Sequence, residues 1–228
     1  MDSGASSLTA WSHGLVGASY LVFALRLVQL GYHRKIRGLT ERCIFAAVIA
    51  SALWGWFGLA FLAMGKPGML VAADLADLLR YGFWFGFLLL LFRERGGNVL
   101  PAGMGWLVPS AIFLLAFGLF ARCLSFFGLS FLGDPARLVL FSSMALPVFV
   151  LVLVEQLFRN VTEDSQWNIK PLCLGLAGAA LFDVYLYSQG VLFNRLDADA
   201  LSIRGAVHTL MVPLLVDRKS TRLNSSHQ

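Results

Sequence analysis

The sequence predicts an all-α fold: a polytopic membrane helix bundle of about seven transmembrane helices, the last one short, with the N-terminus outside. Composition is the first ground. Of 228 residues, 58% are hydrophobic and only 14% charged, with mean hydropathy +0.73. A soluble domain carries roughly 25% charge, so lipid must face most of this surface. The second ground is spacing: apolar runs of about 20 residues, the length that crosses a bilayer, alternate with short polar loops. The third is an uneven split of lysine and arginine between alternate loops.

Taken in order, the spans fall near 9–31, 43–64, 68–92, 105–127, 138–158 and 171–193, and a seventh begins near 205 and is cut at about 216. Loops this short make successive helices antiparallel neighbours. Strands are not expected, because an open sheet edge cannot be satisfied in lipid. The N-terminus MDSGASSLTAWSHG lacks a basic leader region, so the first run stays as a membrane helix. Trp11, Trp54, Trp56, Trp106 and Trp167 lie at or near span ends, where interfacial aromatics settle. Pro109, Pro147 and Pro171 read as kinks or caps.

One set of alternate loops holds Arg34, Lys35, Arg37, Arg42, Arg93, Arg95, Arg159 and Lys170; the other holds only Lys66, Arg137, Arg195 and Arg204. The basic side is expected inside, in a bacterial inner membrane. Residues 1–216 form one transmembrane region. The last twelve, DRKSTRLNSSHQ, break the pattern and read as a non-native, unstructured adapter- or vector-derived tail, 217–228. The formal net charge is +5, and leaving out Asp217, Arg218, Lys219 and Arg222 lowers it to +3. No basic stripe suggests nucleic acid as a partner; the lipid bilayer is the expected one.

Ionisable side chains inside spans are costly and turn toward the bundle interior or a partner. The third run carries Asp74, Asp77 and Arg80, spaced by three on one broad helical face; Asp77 and Arg80 can pair. The sixth contributes Asp183, with Tyr185 and Tyr187 nearby. At about 1.5 Å per residue, Asp77 lies about 14 Å and Asp183 about 15 Å from the outer ends, so both fit one layer. Asp74, Asp77, Arg80, Asp183 and Tyr187 form the candidate intramembrane polar layer. Two readings stay open: a pocket reached from outside for a proton, ion or small ligand, and an ion-pair layer that fixes which helices pack together. Arg122 and His208 sit nearer the outer surface, and Arg26 and Glu155 near the inner one. Gly82 and Gly86, with Gly175 and Gly178, are expected to pack helices closely.

Covalent chemistry has no support. The patterns GxxxxGK[ST], GxGxxG, HExxH and GxSxG are absent, and no histidine has the His-Glu or His-Asp pairing of a phosphoacceptor helix. Cys43, Cys123 and Cys173 stand apart in apolar runs. Catalytic, cofactor-binding and metal-ligating residues are therefore all expected to be none.

A family resemblance rests on QWNIKPLCLGLAGAALFDVYLYSQGVLFNRLDADALSIRGAVHTLMVPLL, residues 166–215. It is carried by LCLGL after Lys170, FDVYLY from Phe182 to Tyr187, LF-x-R-x-D from Leu192 to Asp197, and RG-A-V-x-x-L-x-V-PL from Arg204 to Leu214. This stretch resembles the N-terminal membrane region of PrsK-type sensor histidine kinases, which accompany the exosortase/PEP-CTERM sorting and exopolysaccharide systems of Gram-negative bacteria. Hydropathy over residues 9–216 fits the same family more loosely. The resemblance implies a sensor and input module of a two-component system whose kinase part lies beyond this fragment. It further implies ATP and Mg only in that kinase part, and there too a homodimer interface and a response-regulator partner. No position here matches the kinase motifs, so no residue role carries over. An ion or small-molecule transporter or channel, and a membrane scaffold, are the alternatives.

Overall fold

A computed structural model describes residues 3–29, 38–95, 105–130, 133–160 and 163–214. Seven helices make up the described residues: α1 (Ser3–Gln29), α2 (Leu39–Met64), α3 (Pro67–Arg95), α4 (Leu107–Phe127), α5 (Pro135–Asn160), α6 (Glu163–Phe193) and α7 (Ala198–Thr209), with a further helical turn at 211–214. No strand occurs among them. Six are long and apolar enough to cross a membrane. The shortest, α4, has 21 residues, about 31 Å of helix. The exposed side chains of these helices include Leu15, Leu79, Ile112, Phe113 and Leu181. An outer surface of that kind suits lipid rather than water, and the chain is a multi-pass membrane protein.

Local chemistry sets the helix ends. Pro67 and Pro135 open α3 and α5, where a missing N–H and a fixed φ cost nothing. Gly65 and Gly128 close α2 and α4 with φ of 65° and 66°, a left-handed turn that suits a residue without Cβ. Asp197 caps α7: its carboxylate accepts from Asp199 N at 3.0 Å and Ala200 N at 3.4 Å. That cap starts α7 seven residues before the expected 205. Arg204, expected in a loop, is therefore helical. Likewise α6 begins at Glu163, upstream of the expected 171, so Pro171 sits inside it. The tail and the end of the seventh span, from 215 on, lie outside the described residues, as does the basic loop 30–37.

The helices run as antiparallel neighbours. α1 packs on α2 and α2 on α3, while α3 also meets α4 and α5. α5 pairs with α6, and α7 returns between α6 and α1 to close the bundle. The core centres on Trp84, Phe85, Phe87 and Leu88 of α3, Leu146 of α5 and Leu172 of α6. Phe85 meets Phe149 edge-on with centroids 5.0 Å apart.

The tightest crossings are not at the expected glycines. A Cβ on Gly82 or Gly86 would meet Leu115 at 3.4 Å or Cys43 at 3.5 Å, which is ordinary contact, and Gly178 faces open space; of the four only Gly175 is closely packed, with Met211 at 3.2 Å and Leu214 at 3.3 Å. A Cβ on Gly55 would instead lie 2.6 Å from the backbone N of Gly17, and one on Gly205 would lie 2.5 Å from Ser12 O. Close approach thus joins α1 to α2 and α1 to α7.

Candidate functional site: a buried ion network

Asp77 and Arg80 share a face of α3 one turn apart and pair directly. Arg80 Nε and Nη2 donate to Asp77 Oδ1 at 3.0 and 2.6 Å. Asp183 faces them from α6. Each carboxylate lies ten residues from its helix end, at Pro67 and at Phe193, which is about 15 Å and puts both at one depth. Arg204 of α7 reaches between them. Its Nη2 donates to Asp77 Oδ2 at 3.0 Å and to Asp183 Oδ2 at 3.0 Å, while its Nε donates to Asp183 Oδ1 at 2.8 Å.

Two more donors complete the shell of Asp183. Tyr81 Oη lies 2.5 Å from Oδ2, and His208 Nε2 lies 3.1 Å from the same oxygen. The other ring nitrogen of His208 lies 2.8 Å from Arg80 Nη1. A guanidinium can only donate, so Nδ1 accepts and the proton of a neutral imidazole sits on Nε2, aimed at Asp183. Two carboxylates, two guanidiniums and one neutral imidazole cancel in charge.

The aromatic shell is equally specific. Arg80 Cζ lies 4.4 Å and Arg204 Cζ 4.7 Å from the Trp54 ring centroid. Trp54 also meets His208 and His13 edge-on at 5.3 and 5.5 Å. Tyr187 lies 5.3 Å from Arg204 Cζ, and Tyr81 4.9 Å from Arg80 Cζ. Ring faces carry negative charge toward these cations without adding an ion. From α1, Tyr20 Oη lies 3.5 Å from His208 O, and Ser12 Oγ accepts from Ala206 N at 3.0 Å. Six of the seven helices described, all but α4 and α5 by direct polar or ring contact and α5 through the neighbouring cavity, therefore bear on this cluster.

The network is closed. Relative exposures are 0% for Asp183, 3% for Arg80 and His208, 4% for Asp77 and 6% for Arg204. Beside it, between Arg80, Tyr81, His208, Val150 and Leu176, a cavity of about 20 Å³ remains, room for one water. Among the described residues, these side chains are closed off from the outside.

Of the five layer residues expected from sequence, Asp77, Arg80 and Asp183 meet, and Tyr187 stacks beside them. Asp74 does not join: it is exposed on α3. Each three-residue step lags the helix by about 60°, so Asp74 stands about 120° from Arg80, off the inward face. Trp54, expected at an interface, is 3% exposed in the core, whereas Trp11, Trp56 and Trp106 are exposed. The side chain of Trp167 lies outside the described residues. Sequence reasoning missed Arg204 and Tyr81, and placed His208 too near the surface. The signal was present in Asp197, whose cap carries Arg204 and His208 into one helix four residues apart. Among the described residues no group of histidines, cysteines or carboxylates is arranged to hold a metal. Compared with known families, curated proteins and solved structures, the chain matches none of them.

Proposed function

We propose that this region is the sensing and input module of a two-component histidine kinase of the PrsK type, in a bacterial inner membrane, with the N-terminus outside. The observation that carries this reading is Arg204. It sits on the last helix described, the one that leads toward any cytoplasmic output part, and it is shared between Asp77 of α3 and Asp183 of α6. A stimulus that favours another packing of α7 must exchange these bonds, so the network sets the balance between two arrangements. The residues that resemble the kinase family include both Asp183, within FDVYLY, and Arg204, at the start of RGAV. Orientation gains support as well. With Arg204 buried in the network, three cations near one face stand against eight near the other. Kinase activity, ATP and Mg, dimerisation and the response regulator all belong to the output part, and no residue here acts in them. Conduction has less behind it, because both mid-membrane carboxylates are held by guanidiniums.

The test uses the full-length parent. Tyr81→Phe removes one hydroxyl from Asp183 and keeps the charge balance. Such a bond contributes about 1 kcal/mol, roughly a five-fold shift between two states. Phosphoryl transfer to the response regulator, normalised to protein in the membrane, should change by about that factor. Asp77→Asn, which loosens Arg204 from α3, should change it further. Unaltered output from both variants at normal protein levels would leave the network a purely structural role.

A further inference from the structure

Between the ion network and the end of the bundle where α5 finishes, α5 and α6 part to leave a groove of about 560 Å³. Its walls are apolar: Leu151, Val154 and Phe158 from α5, with Cys173, Leu174 and Ala177 from α6. Its mouth is charged, with Glu155 and Arg159 on one side and Lys170 on the other. Phe158 is 37% and Leu174 67% exposed, so the groove opens sideways. Arg159 is the penultimate residue of α5, and Lys170 is the second residue of the apolar span Ile169–Phe193. Both cations therefore stand where hydrocarbon ends and headgroups begin. From Lys170 to Ala177 the walls descend about 10 Å into the membrane. Arg26 and Arg93, near the ends of α1 and α3, and Arg42, near the start of α2, lie toward this same end of the bundle.

We infer that this groove binds one phospholipid with a net negative headgroup, its phosphate at Arg159 and Lys170 and the start of an acyl chain along Cys173, Leu174 and Ala177. Among the described residues that line the mouth, two cations stand against one carboxylate, a balance that favours an anionic over a zwitterionic lipid. The carboxylate is placed to regulate. Glu155 Oε1 accepts from Arg159 Nη1 at 3.1 Å, with the two side chains 57% and 68% exposed. A phosphate must share Arg159 with Glu155 or displace it. Removing the Glu155 charge should therefore strengthen binding of an anionic lipid, whereas a choline headgroup would lose an anionic neighbour in the mouth. The site is independent of the kinase reading and needs only the membrane-spanning fold.

The experiment is native mass spectrometry of the full chain in neutral detergent. It is titrated with dioleoyl phosphatidylglycerol or dioleoyl phosphatidylcholine, scoring the fraction that carries one lipid. The wild type should prefer phosphatidylglycerol about ten-fold or more. Arg159→Gln with Lys170→Gln should lower phosphatidylglycerol binding about five-fold for each cation removed. Glu155→Gln should raise it, and Ala177→Phe, which fills the groove, should lower binding of both lipids. Glu155→Gln alters only an exposed side chain, so the inference stays testable even if Ala177→Phe fails to fold. Equal binding of the two lipids would overturn it. So would wild-type binding in the double variant, weaker phosphatidylglycerol binding in Glu155→Gln, or displacement of the lipid by equimolar glycerol 3-phosphate. A change of oligomeric state in place of lipid binding would assign the groove to a second copy of the chain and would equally overturn it.

Discussion

Asp183 accepts four hydrogen bonds, from Tyr81, His208 and twice from Arg204, with no exposure to solvent. Removing its charge strands a buried guanidinium. Asp183→Asn should therefore cost about 3–5 kcal/mol, read as a lowered unfolding midpoint in detergent. Asp183→Leu combined with Arg204→Met removes both charges of that contact and should recover a large part of the loss. The double-mutant cycle should show a coupling well above 0.5 kcal/mol, and a coupling near zero would mean the two groups act separately. Asp77, Arg80 and Asp183 were legible in the sequence because charges within apolar runs must find one another. Arg204 was not, because the polar stretch DADALSIR before it looks like a loop until Asp197 is read as a cap. Trp54 looked interfacial because tryptophan usually is; here two guanidiniums draw it inward.

At the level of elements, the bundle depends on backbone approach where side chains are absent. Gly55→Ala gains up to about 1 kcal/mol of helix propensity, but its methyl would lie 2.6 Å from the backbone of Gly17. Only moving α1 away from α2 relieves that, so the net effect should be a loss of about 1–3 kcal/mol. Gly86→Ala has ordinary room beside Cys43 and should leave stability unchanged or raise it by up to about 1 kcal/mol. Thermal unfolding of the two variants in one detergent checks the contrast. All six long helices could be read from apolar run length. Their ends were less legible, because apolarity marks the hydrocarbon and not the helix. α1 and α6 continue into polar residues at Ser3 and Glu163, where helical hydrogen bonds persist in the headgroup region. The glycine spacing at 82 and 86 pointed to the wrong contact, since spacing alone does not say which face meets a neighbouring backbone.

For the whole molecule, topology is the property most open to direct test. Asp134 and Asn160 mark opposite ends of α5. In a background with Cys43, Cys123 and Cys173 replaced by serine, Asp134→Cys should react with a membrane-impermeant maleimide in intact cells. Asn160→Cys should react only after permeabilisation. The reverse pattern would turn the bundle over and place the basic end outside. Whichever way the bundle points, the cancellation of charge among Asp77, Asp183, Arg80 and Arg204 has a further consequence. A single elementary charge carried across 100 mV exchanges about 2.3 kcal/mol with the electric field. Held together, these four side chains are neutral in that field, but a sliding α7 carries Arg204 alone, because Asp77 and Asp183 stay behind on α3 and α6. The transmembrane voltage therefore has no grip on the intact network and gains one only as Arg204 parts from its carboxylates, in proportion to the depth it travels.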